Sequence, residues 1–136
     1  MFNTAKYNYK PTSKDELKNV ITNLMCKRGD NANLNDIDVS EITDMSELFK
    51  YEAFNGDISR WNVSKVTDMT AMFYNSAFNG DLSSWDISDV QHMSWMFAYS
   101  DFDNTSLNNW VVVCDATMEM FAKTPLEINS PKWYKV

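Results

Sequence analysis

Apolar residues recur along this chain at short spacings of two and three, and the whole arrangement returns every 24 residues. Sliding the sequence on itself by that interval superimposes Val39, Val63, Ile87 and Val111, then Ile42, Val66, Val90 and Cys114, then Leu48, Met72, Met96 and Met120. Phe49, Phe73, Phe97 and Phe121 follow directly. Further columns agree over part of the chain: Trp61 with Trp85; Met45, Met69 and Met93; Phe54, Phe78 and Phe102; Ser40, Ser64 and Ser88. Self-similarity at a period between about 20 and 50 residues marks a solenoid or array. The fourth unit departs, because Leu107 and Trp110 arrive one residue late and register returns by Met120, which predicts a bulge or reshaped turn.

Within one unit, Trp61, Val63, Val66 and Met69 are separated by polar and β-branched residues. That spacing predicts a short extended segment that turns a corner and continues as another. Met69, Met72, Phe73 and Ala77 then fall at helix-compatible spacing. Asn55-Gly56-Asp57 and Asn79-Gly80-Asp81 turn the chain, and the shared glycine slot, filled by Asn104 in the next unit, predicts a left-handed backbone there. The expected fold class is an α/β repeat solenoid of about four coils with short parallel strands, neighbouring coils lying about 4.8 Å apart. Columns of Phe, Met and Val would form its core, with Ser40, Ser64 and Ser88 bonded to the backbone of the adjacent coil.

Strand edges at the ends of such a stack need covering. Ser13-Lys-Asp-Glu16 is a capping box, and Leu17, Val20, Ile21, Leu24 and Met25 form an apolar stripe ending at Gly29, so residues 13–28 read as a closing helix. The domain reading is an N-terminal cap over 1–33, repeats over 34–124, and a C-terminal cap or lid over 125–136.

Charge narrows the function classes. The net charge is −7; residues 37–124 hold four basic residues against fourteen acidic ones, a balance of −10, while the flanks carry +3. An acidic body argues against direct nucleic-acid binding, which needs clustered Lys and Arg, and favours a protein partner with a basic surface. Cys26 and Cys114 lack metal or disulfide spacing and read as packed thiols. No apolar run suits a signal peptide or a membrane span, so the expected location is cytoplasmic.

The stretch Phe54-Asn-Gly-Asp-Ile-Ser-Arg-Trp-Asn-Val-Ser-Lys-Val-Thr-Asp-Met-Thr-Ala-Met-Phe73, repeated from Phe78 to Phe97, resembles the bacterial surface protein repeat, related to BspA-type leucine-rich repeats. The resemblance covers about residues 33–124. It implies a leucine-rich-repeat-like right-handed coil, an association with adhesion and protein binding, and no catalytic residues.

No nucleophile with a base, carboxylate pair in a pocket or metal cluster stands out, so the chain reads as non-enzymatic with no cofactor. His92 shares a column with Asp44 and Asp68 and reads as an exposed side chain. Asp44 with Asp68, and Asp57 with Asp81, would stack closely enough to hold calcium, although Asp57 and Asp81 fit better as turn caps. The candidate protein-binding residues flank the buried Ile42, Val66 and Val90 column: Glu41, Lys65 and Asp89; Thr43, Thr67 and Gln91; Asp44, Asp68 and His92. Tyr51, Tyr74 and Tyr99 would supply aromatic anchors nearby. The leading reading is a small stand-alone acidic binder or inhibitor. Its alternatives are an acidic mimic of nucleic acid that inhibits a DNA- or RNA-binding enzyme, such as a mobile-element counter-defence protein, and a fragment of a surface adhesin.

Overall fold

Stacking at the 24-residue interval is direct: the Phe49, Phe73, Phe97 and Phe121 rings lie over one another with centroids 5.6, 5.4 and 5.8 Å apart and planes within 9°. Phe54, Phe78 and Phe102 form a second aromatic column at 6.0 and 6.2 Å. The computed structural model describes residues 7–135; residues 1–6 of the expected N-terminal cap and Val136 of the C-terminal one lie outside the described residues.

The expected α/β solenoid with parallel strands is not what the chain forms. Among the described residues there is one α-helix, two single-turn 3-10 segments and no sheet; strand pairing is reduced to isolated bridges such as Asp44 with Asp68 and Asp68 with His92. The reason lies in where the backbone bonds go. Met45, Glu47, Phe49 and Tyr51 donate their N–H groups to the carbonyls of Asp68, Thr70, Met72 and Tyr74 in the next coil, at 2.8–2.9 Å. Met45, Glu47 and Phe49 turn their own carbonyls inward, to the N–H groups of Leu48, Lys50 and Glu52 three residues ahead. A strand residue uses both groups across the sheet. Here half the bonds close local turns instead, so each coil contributes a run of turns to a one-way ladder. The pattern repeats from Met69 to Asn75 and from Met93 to Tyr99. The same bonding displaces the helix that the spacing of Met69, Met72, Phe73 and Ala77 suggested.

The turns impose left-handed backbone at two positions per coil: Glu47, Ala71, Trp95 and Glu119, then Tyr51, Asn75, Tyr99 and Lys123, with φ of 50–63°. The glycines expected to need that conformation do not. Among glycines only Gly29, just past the helix, has positive φ. Gly56 and Gly80 are required by close approach: a Cβ on Gly56 would collide with the Ala32 carbonyl, and one on Gly80 would sit 2.7 Å from the Phe78 ring. Asn104, in the third slot, is extended at φ −145°.

Corners are made by Asp or Asn side chains accepting from the N–H two residues ahead. Asp57 accepts from Ser59, Asp81 from Ser83 and Asp86 from Ser88. These bonds hold all three carboxyls below their usual range. Asp57 and Asp81 are thus turn caps. Ser64 and Ser88 bond the side chains of Asn62 and Asp86 within their own coil, not the backbone of a neighbour. The buried hydroxyl column is Ser76, Ser100 and Thr124; the last two donate to the Phe97 and Phe121 carbonyls.

Tryptophan forms a further column. The indole N–H groups of Trp61, Trp85, Trp110 and Trp133 reach back to the carbonyls of Leu34, Ile58, Leu82 and Leu107, at 2.7–3.0 Å. Trp133 therefore continues the stack. The late arrival of Leu107 and Trp110 is absorbed by the turn Thr105–Leu107. Val111 is consequently 73% exposed instead of completing the Val39, Val63 and Ile87 column, and Val112 packs against the core. Cys114 is half-buried and Cys26 is exposed, so the packed-thiol expectation fails for Cys26.

At the N-terminal end, α1 (Lys14–Arg28) begins at Ser13, whose hydroxyl accepts from the Glu16 N–H at 3.2 Å. Glu16 reaches one residue further back than a standard capping box, accepting from Thr12. Leu17, Ile21 and Leu24 are buried against the core. The same helix closes the first coil's open carbonyls: Lys14 Nζ donates to Ser46 O at 3.2 Å and Lys18 Nζ to Leu48 O at 2.7 Å.

Candidate functional site

The turn ladder puts two sets of side chains on the surface, one entering it and one leaving it. At its entry, the bridges from Asp44 to Asp68 to His92 stack those three residues as the sequence spacing predicts. Thr67 N–H donates to Thr43 O, and Gln91 N–H to Thr67 O, both at 2.8 Å, so the threonine and glutamine column is stacked too. Glu41 and Lys65 complete the third column with an ion pair of 3.1 Å. Asp89 is exposed, as are His92 and Gln91. All nine candidate residues thus lie in three adjacent columns flanking the buried Ile42, Val66 and Val90.

They are not equally free. Asp44 accepts from the Ser46 N–H at 2.8 Å and faces Lys14 of α1 at 3.5 Å. Burial raises its carboxyl pKa, but the bonds from Ser46 and the Lys14 charge outweigh that and leave it lowered. Asp68 likewise caps its own turn, accepting from Thr70 N–H at 2.9 Å. The pair Glu41–Lys65 is exposed and contributes little to stability. Asp89, Gln91 and His92 carry no such side-chain engagement among the described residues. Nor does any group of three or more His, Cys, Asp or Glu residues there sit where it could hold a metal.

At the exit of the ladder, Tyr51, Tyr74, Trp95 and Tyr99 form one aromatic cluster. Tyr74 is its centre, 5.8 Å from Tyr51, 5.4 Å from Tyr99 and 6.4 Å from Trp95. Tyr51 and Tyr99 meet Tyr74 edge-on and tilted and are 65% and 47% exposed, large values for clustered aromatics. Lys50 lies over the Tyr51 and Tyr74 rings at 5.3 and 5.4 Å from their centroids, within cation–π range, and is anchored by Glu47 at 3.0 Å. Its hydrogen bond to Glu47 raises its pKa and keeps it charged.

Three members of the cluster, Tyr51, Trp95 and Tyr99, have left-handed backbone. A non-glycine residue there costs roughly 1–2 kcal/mol, least for Asn or Asp. Asn75 shows the easier solution at the equivalent position. Sequence spacing picked out the tyrosines but missed Trp95, which occupies a column with Glu47, Ala71 and Glu119 and so has no aromatic counterpart to reveal it.

The family described as "Mycoplasma protein of unknown function, DUF285" matches residues 15–133, from the start of α1 to the last tryptophan of the indole column. No curated protein and no solved structure matches the chain.

Proposed function

We propose, on the premise that the chain belongs to this Mycoplasma family, that it is a non-enzymatic protein-recognition module that grips a basic partner surface. The observation that carries the reading is the surface cluster of Tyr51, Tyr74, Trp95 and Tyr99, in which Tyr51 and Tyr99 are exposed and Tyr51, Trp95 and Tyr99 are held in unfavourable backbone. Large aromatics contribute little to the core from there, and tyrosine and tryptophan are the residues that dominate protein interfaces. Their flat faces already hold one cation, Lys50, and a partner's Lys or Arg can lie against Tyr99 and Trp95 in the same manner. The acidic balance of residues 37–124, with Asp68 and Asp89 on the columns at the ladder entry, attracts such a surface. The resemblance of Phe54–Phe73 to bacterial surface protein repeats points to protein binding as well.

The test compares partner capture by the wild-type chain with that by Tyr74→Ala/Tyr99→Ala and by Asp68→Lys/Asp89→Lys, each shown by circular dichroism to keep its fold. Each pair is expected to weaken the captured partner's binding about tenfold or more, and rising salt should weaken the wild-type complex. Undiminished affinity in both variants would refute the reading.

A further inference from the structure

The 24-residue interval fails at one seam between coils, and the failure loosens the side of the stack there. Ile58 to Leu82 and Trp61 to Trp85 keep the interval, whereas Leu82 to Leu107 and Trp85 to Trp110 span one residue more. The turn Thr105–Leu107 takes up the extra residue. One coil earlier the same seam is closed, with Ser84 Oγ donating to Ser59 O at 2.9 Å. Asn109, the counterpart of Ser84, makes no such bond among the described residues. Asn104 still crosses the corner, its Nδ2 donating to Asn79 Oδ1 at 2.8 Å and to Gly80 O at 3.1 Å.

Two adjoining hollows follow this seam and share Ser83. The larger, about 500 Å³, has Asp81, Ser83, Thr105 and Ser106 in its wall and falls within the roughly 300–1,000 Å³ of small-molecule sites. The smaller, about 140 Å³, has Asp86, Asn109 and exposed Val111. Asp81 and Asp86 each cap a turn through Oδ1, which leaves Oδ2 open as an acceptor among the described residues. Ser106 Oγ is buried there with no hydrogen-bond partner, a costly state that a ligand hydroxyl can relieve. No Lys or Arg lines either hollow, so an anion is a poor occupant. A metal ion is another, since no group of three or more His, Cys, Asp or Glu among the described residues could hold one. A cationic side chain needs acceptors alone. Here each carboxylate shares its hollow with a hydroxyl or amide donor, the mixture that sugar hydroxyls require, because each of them both donates and accepts.

We propose that this seam is a binding site for a neutral oligosaccharide. Asp81 and Asp86 accept from its hydroxyls, Ser83, Thr105 and Asn109 donate to its oxygens, and Val111 is covered by the C–H face of an adjoining sugar unit. Ser106 joins once rotation about its Cα–Cβ bond brings its hydroxyl to the ligand. The seam shares no residue with the aromatic cluster, so either site can fail without the other.

The test applies the full chain to an array of immobilised neutral oligosaccharides built from hexoses and N-acetylhexosamines, and follows titration with a retained sugar residue by residue by NMR. Amide shifts should concentrate in residues 79–88 and 104–111, and raising the salt should leave the affinity unchanged, since the ligand carries no charge. Asp81→Asn keeps the turn cap, as Asn62 and Asn104 cap Ser64 and Ser106, but removes the carboxylate and should weaken binding about tenfold. Thr105→Trp, which fills the larger hollow from its wall, should abolish binding while circular dichroism shows the fold retained. The proposal is overturned if no sugar on the array is retained, or if the shifts fall elsewhere on the molecule. It is equally overturned if Asp81→Asn binds as tightly as wild type, or if a lysine-rich peptide displaces the sugar and itself binds in a salt-sensitive way, which would mark the seam as a site for cationic side chains.

Discussion

Single residues in this molecule are judged by what the coil above or below allows them. Gly56 illustrates the point: it has ordinary backbone, yet a methyl group there would run into the Ala32 carbonyl and lie 2.6 Å from the Phe54 ring. Gly56→Ala should therefore destabilise the fold by about 2–4 kcal/mol in urea unfolding, and more than Gly80→Ala, whose main clash is with a side-chain ring. Trp85→Phe keeps most of the stacked area but removes the indole bond to the Ile58 carbonyl, which keeps only the Trp61 N–H at 3.2 Å, for a loss of about 0.5–1.5 kcal/mol in urea unfolding. Asp36 supplies a pH handle. Hydrogen bonds from Arg28 and Asn8 outweigh burial and lower its pKa to about 2, below the roughly 3.9 of an unfolded aspartate. A depressed carboxyl stabilises the native state fully above the unfolded value and progressively less as pH falls through the folded one. Asp36→Asn should thus cost on the order of 1–2 kcal/mol near neutral pH and almost nothing near pH 2, which acid titration of the urea midpoint would detect. The buried columns were readable from the sequence because like side chains lie over like. The left-handed positions were hidden, since Glu47, Ala71, Trp95 and Lys123 give no local hint of them.

Elements were harder to foresee than columns. Apolar residues two and three apart satisfy an extended segment, and three and four apart a helix, but a run of turns meets both spacings while sending alternate N–H groups to the next coil. What decides between these outcomes is the destination of each carbonyl, and carbonyls leave no trace in a side-chain pattern. The helix α1 was legible because its signals are local: Ser13 as cap, Gly29 as stop and an apolar stripe between them. Its second role was not, since it depends on two lysine side chains reaching carbonyls about thirty residues away. Lys14→Ala/Lys18→Ala removes those ammonium groups from Ser46 and Leu48. Partial exposure of both lysines allows water to replace them, so a loss of about 1–2 kcal/mol in thermal or urea unfolding is expected, with α1 itself still formed by circular dichroism.

For the whole molecule, stability accumulates between neighbours. Each coil rests on the next through ladder bonds, ring stacking and an indole bond, and among the described residues the run from Glu119 to Lys123 has ladder bonds on one side only. Amides of Ala71 and Phe73 should open only with global unfolding, while those of Met118 to Lys123 should exchange through local opening; native-state hydrogen exchange under mild denaturant separates the two classes. The candidate surfaces divide along the same line. The three polar columns follow from the 24-residue interval and were legible in advance, whereas the place of Trp95 in the aromatic cluster depends on the run of turns and was not. Trp95 differs from the other four tryptophans in standing outside the indole column, within the exposed aromatic cluster. Its partners are tyrosine and solvent, and theirs are backbone oxygens in or beside a dry interior. The molecule therefore carries its own optical reporter: collisional quenchers such as iodide should reach Trp95 and Trp133 before Trp61, Trp85 and Trp110, and the red-edge emission of Trp95 should move when anything settles on Tyr74 and Tyr99, with no label attached.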